Sequence, residues 1–357
     1  MSSRFHKIKV AKVEKTTDDC SIITLDISNG ISEEFQFKQG QHLTLKAEID
    51  GENVQRSYSL CSSPHDGEWK VGIKKVPGGK FSTYANEVLS AGDELEVMPP
   101  SGHFYIDIDK NATKHYVAIA AGSGITPIFS IIKTHLEAEP NSQFTLCYIN
   151  QTVASIILKE EIEGLKNRFM DRFEIFHFLT KQKRGVELYN GRMDEAKLEI
   201  VFKDLVDLEQ MDDVFICGPE EMIFTVRDFL VSKKVDEKKI HFELFTTAES
   251  MKGKVREVKE ELKGLVSDVT ILDGANSFNF KIHQGANNIL DAALSNSADL
   301  PFACKGGVCS TCKAKLIEGK VEMDVNYALE QDEVEAGYIL TCQSVPVSER
   351  VVVDFDN

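Results

Sequence analysis

The sequence predicts a multidomain protein. An antiparallel β-barrel comes first, an α/β domain with a doubly wound parallel sheet follows, and a small α+β domain closes the chain. Three observations carry this. Residues 1 to about 106 hold short runs rich in Val, Ile, Leu and Tyr, separated by turn residues. From His115 onward, continuous apolar strands alternate with helical patterns, the signature of a parallel sheet covered on both faces. From Lys263, a hairpin pattern and a short helix lead into Cys304-Lys-Gly-Gly-Val-Cys309-Ser-Thr-Cys312, which holds three of the chain's eight cysteines. A length of 357 residues suits two or three domains. The expected borders are 1–110, 111–246 and 263–357, with 247–262 as a linker.

The barrel strands are "IKVAKVEKT", "CSIITLDI", "HLTLKAEI", "QRSYSLC", "WKVGIKKV" and "DELEVMP", with turns at "DGEN", "PHDGE", "PGG" and "AGD". In the second domain "HYVAIAA", "FTLCYIN", "RFEIFHFLT", "DDVFICG" and "IHFELF" read as buried strands. "IFSIIKTHLEA", "SIILKEEIEGLKNRF" and "EEMIFTVRDFLVSKKV" read as helices between them. The stretch "TAESMKGKVREVKEEL" is charged and has no strong apolar stripe, which makes it a linker. In the third domain "SDVTILDG" and "SFNFKIHQG" form the hairpin and "NILDAALSN" the helix.

Net charge is −16, and no basic patch is visible, which argues against a nucleic-acid partner. No run approaches the roughly 20 apolar residues of a membrane span, and the start lacks an apolar signal core. A cytoplasmic protein without a membrane partner is expected, and structural disulfides are rare there. Cys20, Cys61 and Cys147 lie in apolar strand patterns and are expected to be buried thiols. The acidity fits either plain solubility or docking of a basic partner. The last domain carries 7 Lys and Arg against 14 Asp and Glu.

The cysteine loop has the spacing Cys304-x4-Cys309-x2-Cys312, with Cys342 downstream in "ILTCQS". That is the spacing of a plant-type [2Fe–2S] site, in which each iron takes two thiolates. Gly306 and Gly307 let backbone N–H groups turn toward sulfur. A structural zinc site would pair two cysteine knuckles or add histidine. Here the second half offers one cysteine, and His283 is the domain's only histidine.

Four further motifs are weaker singly. "RSYS" (Arg56 to Ser59) is followed by "GGKFS", where Gly79 and Lys80 precede Phe81 and Ser82, and Ser82 is placed to cap a helix facing a pyrophosphate. "AAGSGITP" puts Gly122, Ser123 and Gly124 before Thr126 and Pro127 at a strand end. That suits a nucleotide phosphate, or simply a tight turn. "CGPEEM" puts Cys217, Gly218 and Pro219 at another strand end, which points to an active-site role for the cysteine.

Taken together, and in this order, these motifs resemble the ferredoxin–NADP reductase superfamily fused to a C-terminal plant-type ferredoxin. The likeness covers nearly all of the chain apart from the linker. Within the superfamily it is similar to the reductases of multicomponent oxygenases, above all those of phenylacetyl-CoA epoxidase systems. The resemblance implies a flavin-binding barrel, an NAD(P)-binding α/β domain and a β-grasp ferredoxin domain. It implies FAD, NADPH (with NADH as the alternative) and a [2Fe–2S] cluster held by Cys304, Cys309, Cys312 and Cys342. Electrons would pass from NADPH through flavin and cluster to an oxygenase component. Another acceptor, such as a different oxygenase or a hybrid-cluster protein, is the alternative, and a non-enzymatic redox carrier the more distant one.

Residue by residue, the resemblance implies that Arg56, Ser57, Tyr58 and Ser59 bind the flavin, with Ser59 near N5. Ile73 and Lys74 line it from the next strand, and Gly79, Lys80, Phe81 and Ser82 hold its pyrophosphate. Gly122, Ser123, Gly124, Thr126 and Pro127 receive the nucleotide, with Thr126 between the two cofactors. Cys217, followed by Gly218 and Pro219, lies by the nicotinamide. Glu243 and Phe245 match the family's acidic and ring-stacking residues. Ser59, Thr126, Cys217 and Glu243 form the implied catalytic set. Close relatives carry arginine where this chain has Gln151 and Lys181, so a 2′-phosphate would fall to Lys181 and Arg192, with Lys183 and Arg184 nearby.

Overall fold

The computed structural model describes residues 5–27, 31–245, 264–283 and 287–356, in two compact units. The expected linker, 247–262, lies outside the described residues.

The larger unit begins with β1 (His6–Thr17), β2 (Cys20–Asp26), β3 (His42–Ile49), β4 (Glu52–Ser59), β5 (Trp69–Lys74), the helix α1 (Lys80–Glu87) and β6 (Glu94–Val97). The strands pair in the order β4-β3-β6-β1-β2-β5. An isolated antiparallel bridge between Leu60 and Val71 ties the end of β4 back to β5 and closes the sheet. Alternation explains the inward set: Ile8 and Val10 on β1 are buried while their neighbours face solvent. Asn86 locks α1 to the barrel wall by donating to Ile73 O and Ser82 O, both at 2.9 Å, and accepting from Ser21 Oγ at 2.9 Å.

The same unit continues through β7 (His115–Ala121), α2 (Ile125–Ala138), β8 (Gln143–Asn150), α3 (Lys159–Arg168), β9 (Phe173–Leu179), α4 (Glu195–Asp204), β10 (Asp213–Gly218), α5 (Glu220–Ser232) and β11 (Ile240–Leu244). The five strands are parallel, in the order β11-β10-β7-β8-β9. Strand order reverses between β7 and β10, and such sheets bind ligands at the carboxyl ends flanking that reversal. The helix expected from Ser155 starts at Lys159 instead. Ile156, Ile157 and Leu158 are buried in the core, and Leu158 turns the chain at φ +57° with its N–H on Thr16 Oγ1 at 3.0 Å.

Barrel and parallel sheet share one core, in which Cys20, Ile22 and Cys61 pack with α2, β7 and β8 residues. Polar contacts along α2 reinforce it. Ser130 Oγ donates to Ser62 O at 2.6 Å, and Lys133 Nζ meets Asp66 Oδ1 at 2.5 Å. Behind them Glu139, fully buried, accepts from Tyr116 OH and faces His135 Nδ1, both at 2.9 Å. Burial alone would raise the Glu139 carboxyl. The bonds from His135, Ser142 and the Asp109 N–H reverse this and hold it at about 2.

The smaller unit has a five-stranded sheet in the order β13-β12-β18-β14-β16. It is built from β12 (Val266–Asp273), β13 (Asn276–His283), β14 (Lys313–Glu318), β16 (Tyr338–Leu340) and β18 (Arg350–Asp354). A two-stranded ribbon of β15 (Val321–Met323) and β17 (Ser344–Pro346) accompanies it, with the helices α6 (Ile289–Ser295) and α7 (Gln331–Glu335). Its separate core joins Ile271, Leu290, Cys312 and Val353.

Candidate functional site

The two turns at the strand reversal touch. Gly122 bends the chain at φ +54°, and Gly124 lies so close to the end of β10 that a Cβ there would stand 2.2 Å from Cys217 O. Only glycine allows that approach. Gly122, Ser123 and Gly124 form one tight turn, after which Thr126 and Pro127 open α2. Thr126 Oγ1 donates back to Ser123 O at 2.9 Å. Gly218 and Pro219 follow Cys217, with Pro219 at the N-cap of α5.

The barrel meets these turns along β4 and β5. Thr126 Cγ2 would be 2.6 Å from a Cβ on Gly72, so α2 rests on β5 where that strand has no side chain. Ile73 next to it is fully buried, and Lys74 Nζ pairs with Asp19 at 3.5 Å. Ser59 Oγ, at the end of β4, donates to Glu243 Oε2 on β11 at 3.1 Å. Glu243 is the register partner of Cys217, whose fully buried thiol is pushed well up by burial and then by the Glu243 charge. Ser59, Thr126, Cys217 and Glu243, expected together from the sequence, therefore converge.

Gly79, not Ser82, holds the N-cap of α1. Ser82 is already inside the helix, accepting from Val76 N and donating to Gly79 O, both at 3.2 Å. Gly79 makes room for that hydroxyl, since a Cβ there would stand 2.5 Å from it. Phe81 is buried under Tyr58, with ring centroids 5.5 Å apart. Lys80 Nζ pairs with Glu52 at 2.5 Å. Arg56 is exposed on β4 with its guanidinium on Gln55 O at 2.6 Å, and Ser57 beside it is half-buried. Phe245 is 38% exposed at the end of its described stretch.

At the far end of the sheet, Lys181 N–H donates to Gln151 O at 2.9 Å, and the Lys181 side chain is exposed. Arg192 is also exposed and faces Glu221 at 3.3 Å. Arg184 donates to His177 O at 2.7 Å and lies over the Tyr189 ring.

Two residues here escaped sequence reasoning. Gly72 had a signal, a glycine inside a strand. His42, on β3 with Nδ1 3.9 Å from Glu243 Oε1, had none, because nothing local relates it to Glu243.

The cysteine loop gathers its thiols. Cys309 Sγ is 3.1 Å from Cys304 Sγ, and the Cys342 thiol adjoins those of Cys304 and Cys312. Among the described residues no group of three or more metal-ligating side chains is arranged for a single ion. Cys309, Cys312 and Cys342 are buried and Cys304 is half-buried. Gly306 N–H donates to Cys304 Sγ at 3.2 Å, and Gln343 Nε2 to Cys342 Sγ at 3.6 Å. Gly307, at φ +72°, serves space instead, since a Cβ would stand 2.8 Å from Val325 O. Contact with Cys304 and burial push the Cys309 thiol well up. Four adjacent thiols with N–H donors on sulfur fit a thiolate-held cluster, whose irons would displace those protons.

Comparison with known proteins agrees with this inventory. Residues 7–106 match the oxidoreductase FAD-binding domain family, 118–228 the oxidoreductase NAD-binding domain family and 271–347 the 2Fe-2S iron-sulfur cluster binding domain family. The chain is 42% identical to a component of the 1,2-phenylacetyl-CoA epoxidase of Escherichia coli (strain K12), over 99% of this chain and 98% of that one. The chain belongs to the ferredoxin–NADP reductase-like family with a fused 2Fe-2S domain. Another member, the ferredoxin reductase component of the 3-ketosteroid-9-alpha-monooxygenase of Mycobacterium tuberculosis (strain ATCC 25618 / H37Rv), is 32% identical over 98% of this chain and 96% of its own. The solved phthalate dioxygenase reductase shares the fold, with a TM-score of 0.58 at 23% identity and 98% coverage of both chains. Like its family, the protein is an NAD(P)H-dependent flavoprotein oxidoreductase that delivers electrons to an iron–sulfur centre.

Proposed function

We propose that this reductase draws electrons from NADPH and delivers them to the oxygenase component of a phenylacetyl-CoA epoxidase system in the cytoplasm. The acceptor reading rests on the 42% identity along the whole chain. The cytoplasmic reading is supported by Cys20, Cys61, Cys147 and Cys217, four buried thiols outside the cysteine loop that form no disulfide. The proposed division is a flavin domain at 1–110, a nucleotide domain at 111–246 and a ferredoxin domain at 263–357, joined by 247–262.

The observation that carries the redox site is the convergence of Ser59 and Glu243, 3.1 Å apart, beside Cys217 and the Thr126–Gly72 contact. The flavin ring would be held at β4 and β5 by Tyr58, Ser59 and Ile73, with Arg56 and the α1 turn at its phosphates. Gly122, with nothing within 4 Å of where its Cβ would stand, leaves the backbone open before α2, where a nucleotide phosphate is favoured. The buried Cys217 side keeps water from the seam, and Glu243 holds charge there under the Ser59 hydroxyl. Lys181 supplies a cation for the 2′-phosphate. Cys304, Cys309, Cys312 and Cys342 hold the cluster as thiolates. A flavin held there would supply the conversion between the paired electrons of a nicotinamide and the single electrons a [2Fe–2S] cluster accepts.

The test is reconstitution. Holoprotein, NADPH, oxygen and the purified oxygenase component of a phenylacetyl-CoA epoxidase should consume phenylacetyl-CoA and NADPH together. An oxygenase of another substrate class at the same concentration should support less turnover. Equal support of both would remove the acceptor assignment, and a preference for NADH would remove the nucleotide assignment.

A further inference from the structure

Ser59 Oγ donates to one carboxylate oxygen of Glu243, Oε2. The other, Oε1, faces Nδ1 of His42 on β3 at 3.9 Å. His42 is 4% exposed, and the Glu243 side chain beside it is half-buried. The imidazole is held from behind. Its Nε2 lies 3.2 Å from Ser101 Oγ, and the backbones of His42 and Ser101 exchange two hydrogen bonds, at 2.9 and 3.0 Å. Gly102 follows at φ +113°, and a Cβ there would stand 2.9 Å from Nδ1. A ring in this pose therefore requires the missing side chain.

We propose that His42 is a positioning residue for Glu243: with Ser59 it brackets the carboxylate and fixes which way it faces across the seam between barrel and nucleotide sheet. This rests on the role proposed above for Ser59 and Glu243, and names a third member of that arrangement, from β3. With Ser101 Oγ–H as the donor to Nε2, the ring proton would sit on Nδ1, the nitrogen on the Glu243 Oε1 side. At 3.9 Å this is a dipole contact rather than a closed hydrogen bond. Among the described residues, the titratable groups recorded against the ring are Glu243 from β11 and His103 from the segment after β6. Burial, and then His103, push the imidazole down to about 4. A neutral His42 acts on Glu243 by its dipole rather than by its charge. Cys217, the register partner of Glu243, is a neutral buried thiol.

The experiment compares wild type, His42→Leu and His42→Gln as holoproteins of matched flavin and cluster content. In wild type, nitrogen NMR of histidine-labelled protein should show His42 neutral above about pH 5, protonated on Nδ1 alone. Glu243→Gln should move that Nδ1 signal. In single-turnover reduction by NADPH, His42→Leu should lower the limiting rate about tenfold with KM nearly unchanged, and should move the acidic limb of its pH profile up by about one unit, because the Nδ1–H no longer favours the carboxylate. His42→Gln, which keeps an N–H donor, should recover most of the rate and the limb. A proton on Nε2, or an Nδ1 signal indifferent to Glu243→Gln, overturns the proposal whatever the kinetics show. So does a His42→Leu enzyme with a wild-type pH profile. Failure of the underlying reading looks different, with Glu243→Gln itself keeping wild-type single-turnover kinetics.

Discussion

In the smaller unit the chemistry is carried by four identical side chains, three of them within nine residues. In the larger unit it is carried by unlike groups from several strands, and Ser59 and Glu243 stand 184 residues apart. The cysteine loop is held together by what its side chains bind. The seam is held together as much by side chains that are missing, at Gly72, Gly102 and Gly124, as by those present. A loop that wraps two irons must bring its ligands from nearby in sequence. A seam between two sheets is assembled only after both have folded. The two regions should therefore respond to different kinds of substitution, and each should leave the other intact.

The largest effect expected is at the loop. Cys309→Ser should abolish the visible and EPR signals of the cluster while NADPH-driven reduction of ferricyanide by the flavin survives. A normal cluster in this variant would show that the ligand set is wrong. At the seam, Gly124→Ala drives a methyl group onto Cys217 O. Displacing the nucleotide turn by even an ångström should slow flavin reduction by NADPH about 100-fold. The cluster spectrum should not change, and a loss confined to the cluster would invert the comparison.

A smaller effect is expected behind the seam. Glu139→Gln weakens a buried hydrogen-bonded group and should lower the stability of the larger unit by about 2 kcal/mol in urea unfolding followed by flavin fluorescence. The pH dependence follows from the depressed carboxyl. Its contribution is fully present above the ordinary value near 4.5 and is lost as pH falls from there through about 2. The Gln variant should lack this part of the acid transition. The smallest effect is at the exposed rim. Lys181→Ala should raise KM for NADPH about tenfold and leave NADH nearly untouched. Equal effects on both nucleotides would remove Lys181 from the 2′-phosphate site.

The same contrast explains how much was legible beforehand. The order of barrel, parallel sheet and cysteine-bearing domain followed from periodicity, because each strand's burial is written in its own alternation or apolar run. The four cysteines followed from spacing. At the seam, the nucleotide turns could be read as glycine-rich strand ends, yet the reason for Gly124, the nearness of Cys217 O, involves a residue 93 positions later and is invisible locally. Ser82 misled because a serine after two glycines has the look of an N-cap, whereas its hydroxyl turns back to Val76 and Gly79. His42 carried no signal at all, since its partners arrive from the segment after β6 and from β11.

The central claim is that electrons enter at the seam and leave through the cysteine loop. Anaerobic stopped-flow mixing of the intact holoprotein with NADPH, with optical signals for flavin and freeze-quench EPR for the cluster, tests it most directly. The flavin should be reduced first and the cluster afterwards, and Cys309→Ser should show the flavin phase alone at an unchanged rate. Cluster reduction ahead of the flavin, or a flavin phase slowed by Cys309→Ser, would contradict the account.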